Sequence, residues 1–314
     1  MRRFDDFGGI FGLLPTPYRN DLEINSEDLR GAGEFCCASG LAGIVWPVMV
    51  GEFYYLGERE RAQNLDVILD VVAGRLPVVF GCSANSAPET IRLAAVASRA
   101  DADAVIVMPA PDATVESAIA MFYGIAGVYE GPIILQNVVG RLSLSLEELV
   151  RLIELVPSIE YVKEEREPAT QQISHVIGAL GDSIKGVFGG FGGRFLPEEL
   201  KRGARGCMPA CHLADVLAKV YQRWLSGDER GARELHRLVL PFAVRESSRL
   251  TRYVLWRRGI TSRLIEVQRG PGRIAPLDAD DRRELEVLAA DLVSVLDGYR
   301  FGGSDAMSAG SGQA

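Results

Sequence analysis

The sequence predicts a closed (β/α)8 barrel, a TIM barrel, followed by a C-terminal helical extension. Three observations carry this. Eight short apolar runs recur along the chain, with starts spaced by roughly 20 to 35 residues, and a longer amphipathic segment follows each. The runs are nearly continuous in apolar residues, as strands covered on both faces must be. Strands joined through helices pair in parallel, eight of them close a barrel, and the repeating units fill about 225 residues, the usual size of that fold.

In chain order the predicted strands are 9–15, 43–49, 77–82, 104–109, 132–138, 159–163, 184–188 and 206–210. Helix starts are legible between them. Ser26-Glu27-Asp28 opens the first, and Ser145-Leu146-Glu147-Glu148 has a capping-box arrangement. Leu146, Leu149, Leu152, Ile153 and Leu155 then form an apolar stripe at helical spacing. A doubly wound open sheet would want a Gly-x-Gly-x-x-Gly turn after an early strand. None follows the first strand, and the Gly-rich stretch at 189–193 comes after the seventh. From residue 214 the pattern is wholly helical, with segments 214–226, 228–247, 250–258 and 280–299. The expected division is a barrel over 8–225, a helical extension over 226–300, and a Gly-, Ser- and Ala-rich tail, 301–314, too poor in apolar residues to order.

The chain has 314 residues, 47% hydrophobic and 24% charged, with a net charge of −8. That is the composition of a globular protein with a large core. The acidic balance argues against a nucleic-acid partner, which needs a basic footprint. No run approaches a membrane span, and no apolar segment follows the basic start, so a cytoplasmic protein without membrane contact is expected. The five cysteines, at 36, 37, 82, 207 and 211, match no common zinc spacing, and only three His are present. Reduced buried thiols and no metal site are expected.

Catalytic groups of such a barrel lie at the C-terminal ends of its strands. The chain has four Lys, at 163, 185, 201 and 219, against 30 Arg. Lys201 and Lys219 fall on helices, and Lys185 starts the seventh strand on the opposite face. Lys163 alone falls at a strand's C-terminal end. Desolvation disfavours the charged form of an amine and frees its lone pair, which is what a Schiff-base nucleophile needs. The competing reading is a structural ion pair with Glu164 or Glu165. Glu165 stands two residues beyond Lys163, so an extended strand points both side chains to one face.

Several strand ends together resemble the dihydrodipicolinate synthase/N-acetylneuraminate lyase superfamily. These are Thr16-Pro17, the Gly51-Glu52 turn with Leu56 and Glu58-Arg59-Glu60-Arg61 after it, Gln136-Asn137-Val138, and the isolated Lys163. The resemblance covers roughly 8–298 and implies a class I aldolase-like lyase that forms an imine through Lys163 without a separate cofactor. It also implies a small 2-oxo acid substrate and a homodimer or homotetramer. The departures are informative. Met49 and Val50 stand where the superfamily usually has Thr-Thr, Gln136 where it has Tyr, and Pro111 near its second Tyr. An amide does not titrate near neutral pH, so Gln136 can orient a group but cannot act as a base.

A Gln there, a Glu in the strand-two turn and a Glu two residues after the Lys are similar to the L-2-keto-3-deoxyarabonate dehydratase branch. That resemblance implies dehydration of a 2-keto-3-deoxy sugar acid to a semialdehyde, with Lys163, Glu165, Gln136 and Glu52 as catalytic groups. The residues expected around the substrate are Thr16, Met49, Val50, Gly51, Asn137, Arg141, Gly189, Gly190 and His212. Arg141 resembles the carboxylate-binding Arg of the synthases, and His212 is positioned after strand eight to shuttle a proton. Two alternatives stay open: retro-aldol cleavage of a similar acid to pyruvate, and a non-catalytic sensor of 2-oxo acids.

Overall fold

In the computed structural model, described for residues 4–139, 143–266, 269, 275–295 and 300–302, eight parallel strands close into a barrel in sequential order. The strands are β1 (Gly9–Leu13), β2 (Gly43–Trp46), β3 (Val78–Gly81), β4 (Ala104–Val107), β5 (Ile133–Val138), β6 (Ile159–Glu165), β7 (Gly186–Gly189) and β8 (Gly206–Cys207). The helices between them are α1 (Ser26–Ala38), α2 (Glu58–Val72), α3 (Ala87–Arg99), α4 (Val115–Ala126), α5 (Leu146–Leu155), α6 (Ala169–Leu180) and α7 (Leu196–Lys201). After β8, α8 (Ala214–Leu225) completes the ring. β8 pairs with β1 through Gly9–Gly206 and Ile10–Cys207.

β8 is shorter than its apolar run. Pro209 has no N–H to offer the ladder, so beyond Cys207 only an isolated bridge joins Leu13 to Ala210. Ser145 caps α5 as its sequence predicts: its hydroxyl accepts from Glu148 N while the Glu148 carboxylate accepts from Ser145 N.

Side chains inside and outside the barrel form two separate apolar clusters. Phe11, Val45, Val79, Ile106, Ile134, Tyr161 and Phe188 fill the interior. Phe7 closes the lower end, stacked on Tyr161 at 5.2 Å between ring centroids, and its N–H donates to the Tyr161 hydroxyl at 2.8 Å. Outward-facing strand residues such as Ile44, Phe80 and Val162 join the helices in the larger cluster.

The extension consists of α9 (Glu229–Val244), α10 (Ser248–Arg257) and α11 (Ala279–Val295). Its residues Val239, Phe242, Leu250, Val254, Leu285 and Leu292 belong to the same continuous cluster that covers the barrel. It therefore shares the barrel's core. α11 is described to Val295; residues 296–299 and the tail from 303 lie outside the described residues, as do 140–142. No helix among the described residues is long and apolar enough to cross a membrane, and the five cysteines are free thiols.

Candidate active site

β6 is the longest strand of the barrel, and its alternation decides what enters the mouth. Tyr161 packs in the barrel interior and Val162 in the outer cluster; Lys163 then points inward at the C-terminal end, with Glu165 above it. The register with β5 sets Gln136 beside Lys163 and Val138 beside Glu165.

These three polar side chains meet. Lys163 Nζ lies 3.1 Å from Glu165 Oε2, with the two side chains 3% and 8% exposed. Gln136 Nε2 donates to the same carboxylate oxygen at 2.5 Å, and Phe191 N donates to Oε1 at 3.0 Å. Burial alone would raise the Glu165 carboxyl. The Lys163 ammonium and the N–H donors of Phe191 and Gln136 outweigh it and hold the group below the usual carboxylate range. Gln136 Oε1 is buried without a protein partner. Gly190 is required beside this cluster, because a Cβ there would lie 2.1 Å from Glu165 Oε1.

Glu164 takes the other side of the strand. It accepts from Asn137 Nδ2 at 2.9 Å and from Arg166 N at 2.8 Å, and burial lifts it to about 7 against those donors. Asn137 also bridges to both backbone groups of Leu144, so its amide ties the end of β5 to the start of α5 rather than facing substrate.

Lys163, Glu165 and Gln136 line a cavity of about 420 Å³ at the C-terminal ends of the strands. Its apolar wall includes Leu13, Met49, Val50, Val138 and Met208. Arg194, Glu246, Ser247 and Ser248 line the cavity as well. A larger hollow of about 520 Å³ opens at the N-terminal strand ends beside Asp101 and Asp103, but no lysine lines it. Among the described residues no group of three or more His, Cys, Asp or Glu could hold a metal ion.

Several residues placed near the substrate by sequence are elsewhere. Glu52, in the left-handed region at φ 56°, is fully buried and paired with Arg252 of α10 at 3.1 Å; it does not line the cavity. Thr16 donates to Gly51 O at 2.5 Å and accepts from Trp46 Nε1 at 3.2 Å, which fixes the strand-two turn from below. Gly51 packs in that turn, 3.1 Å from Leu14 O if a Cβ were added. His212 is buried against Thr251 at 3.3 Å, and burial with the nearby Arg258 cation pushes it down to about 3. It stays neutral and lies off the cavity lining, so it is no shuttle near neutral pH. Gly189 leaves room for the Glu199 carboxylate, 1.8 Å from where its Cβ would be. Arg141 lies outside the described residues.

Glu246 and Arg194 were not singled out by the sequence. Both come from segments with no strand-end signature: Arg194 follows the turn after β7, and Glu246 lies between α9 and α10. The glycines at 192 and 193 were the available signal, since Gly192 adopts φ +65° and a Cβ there would sit 2.0 Å from Glu246 Oε2.

The dihydrodipicolinate synthetase family model matches residues 6–289. The chain belongs to that family. Among curated members, the 4-hydroxy-tetrahydrodipicolinate synthase of Methanopyrus kandleri is 30% identical over 239 residues, which is 74% of this chain and 79% of that protein. The L-2-keto-3-deoxyarabonate dehydratase of Azospirillum brasilense is 27% identical over 293 residues, covering 90% and 94%. In structure, a dihydrodipicolinate synthase from Rhodopseudomonas palustris superimposes with a TM-score of 0.81 at 25% identity, over 90% of this chain and 97% of that one. Within the family barrel, the fold places Lys163 at the end of β6 and Gln136 beside it.

Proposed function

We propose that this family lyase acts through an imine between Lys163 and a small 2-oxo acid, and that its reaction is dehydration of a 2-keto-3-deoxy sugar acid. The observation that carries the reading is the Lys163–Glu165–Gln136 cluster: an amine, one carboxylate within 3.1 Å of it, and an amide holding that carboxylate. Glu165 takes a proton from the ammonium, the freed amine adds to C2, and the carbinolamine oxygen leaves as water with the Glu165 proton, which restores the carboxylate. The iminium acidifies C3–H, and Glu165, now facing C3, removes that proton as base. The enamine pair then forms C3=C4 and expels the C4 hydroxyl. Loss of a C5 proton, return of a proton to C3 and ketonisation of the C5 enol complete a net loss of one water; hydrolysis releases a semialdehyde.

Gln136 supports dehydration over condensation, because an amide orients Glu165 without relaying protons to an aldehyde. Tyr54 lines the cavity, but its hydroxyl donates to Met49 O at 3.4 Å, and burial pushes its pKa above the ordinary phenol value. Likeness to the Azospirillum brasilense L-2-keto-3-deoxyarabonate dehydratase supports this reading. A cytoplasmic homo-oligomer, dimer or tetramer, belongs to the same proposal.

Borohydride with pyruvate should reduce an adduct onto the peptide that carries Lys163, and a 3-deoxy-2-oxo acid should yield a semialdehyde. Pyruvate as product would move the assignment to retro-aldol cleavage. Trapping with release of unchanged substrate would make the protein a sensor. Normal turnover by Lys163→Ala would overturn the imine mechanism altogether.

A further inference from the structure

We propose that Glu246 is the general acid of this site, giving its proton to the C4 hydroxyl of the bound sugar-acid imine as the C4–O bond breaks. The proposal rests on the imine chemistry above and assigns the group which that chemistry leaves open.

The cavity holds two carboxylates from different elements. Glu165 rises from β6 beside the lysine; Glu246 enters from the α9–α10 connection. The position is built. Glu246 Oε1 accepts from Ala210 N, just after β8, at 3.1 Å. Oε2 lies over Gly192, in space that any Cβ would take. Ser247, next in the chain, is held as the N-cap of α10 by its bond from Leu250 N at 3.2 Å, which fixes the approach of the segment.

The charged groups facing Glu246 are Lys163 and Glu165 of β6 and Arg194 after β7. Burial lifts its carboxyl above the ordinary value, with Glu165 adding to the rise and Ala210 N–H, Lys163 and Arg194 opposing it. Glu165 moves the other way. Two carboxyls driven apart in one cavity divide into a base and an acid.

The proton balance closes. Glu165 takes the C3 proton and later returns it to C3. The enamine pair forms C3=C4, the C4–O pair goes to oxygen, and that oxygen leaves as water with the Glu246 proton. The C5 proton passes to solvent as the conjugated iminium becomes a dienamine, and the Glu246 carboxylate is reprotonated from solvent, which restores its starting state.

The test compares wild type with Glu246→Gln on a 3-deoxy-2-oxopentonate and on its 4-deoxy-4-fluoro counterpart, whose fluoride leaves with little need of a proton. Gln keeps an oxygen for Ala210 N, so the fold is retained, and borohydride trapping of pyruvate on Lys163 should match wild type. With the hydroxyl substrate the variant should lose about 10²–10⁴-fold in kcat, the range of general acid–base catalysis, and the alkaline limb of its kcat profile should disappear. With the fluoro substrate the loss should shrink to about tenfold or less. Equal losses on both substrates, or normal turnover of the hydroxyl substrate, overturn the proposal, as does pyruvate as the wild-type product. Failure of wild type itself to trap pyruvate refutes the imine reading on which the proposal stands.

Discussion

Replacing Glu165 by Gln changes a charge and little else in shape, and the structure sets its cost. Three donors converge on this carboxylate: Lys163 Nζ, Gln136 Nε2 and Phe191 N. A Gln brings one acceptor oxygen and an NH2 group, so at least one of the three then meets another donor. The Lys163 charge, 2% exposed, also loses its counter-charge. Removing one partner of a buried ion pair costs about 3–5 kcal/mol. At about 2 cal/mol/K per residue of unfolding entropy, a chain of this length should melt about 5–8 °C lower. The chemical step should fall by about 10²–10⁴ through loss of the base. Thermal melts and single-turnover rates on the same samples read both effects. Lys163→Met combined with Glu165→Gln removes both charges and should recover much of the melting temperature while remaining inactive. An unchanged melting temperature and a normal single-turnover rate in Glu165→Gln would refute both the pairing and the role of the carboxylate as base.

Two further variants probe the surroundings of that pair. Gln136→Tyr should leave native turnover no better than wild type, because a phenol cannot donate twin amide hydrogens and must crowd a position 1% exposed; a large gain in kcat would favour aldol chemistry. Glu199, fully buried behind Gly189 with neither oxygen partnered, is raised by burial, and then by Glu165 and Glu198, to about 8, against 4.5 when free. The native state therefore holds this proton more tightly than the unfolded one, so its contribution is complete below about pH 4.5 and is lost as pH rises through 8. Glu199→Gln is spared that loss, so its melting temperature should gain on wild type from pH 5 to about pH 8 and level off above it; parallel profiles across pH 5 to 8 would contradict the assignment.

The barrel was legible because its signal is periodic. Buried parallel strands must be apolar throughout, and each of the eight predicted runs overlaps one observed strand, with β6 and β7 running past the predicted ends. Ends were less legible, as at β8, where a proline stops the ladder within the apolar run. Lys163 was legible by elimination, and Glu165 by the two-residue alternation of an extended strand. Glu52, Asn137 and His212 lie at the right strand ends with side chains turned to Arg252, to Leu144 and Glu164, and to Thr251. Strand-end position specifies height in the barrel but not which way a loop residue turns. Glu246 lay beyond sequence reasoning because its place in the mouth depends on how α9 and α10 pack against the barrel, which no local pattern encodes.

The Glu52–Arg252 pair has a consequence for how the chain reaches its native state. The partners are separated by 200 residues, and Arg252 also donates to Thr16 O at 3.3 Å, so the strand-two turn takes its final contacts from the end of the molecule. At a synthesis rate of about 5–20 residues per second, Glu52 waits on the order of 10–40 s for its cation. During that interval the carboxylate has no buried counter-charge, and β1 lacks its β8 neighbour as well. Closure of the β1–β8 seam must therefore await residue 207, and completion of the β2 turn must await α10, so both are long-range events.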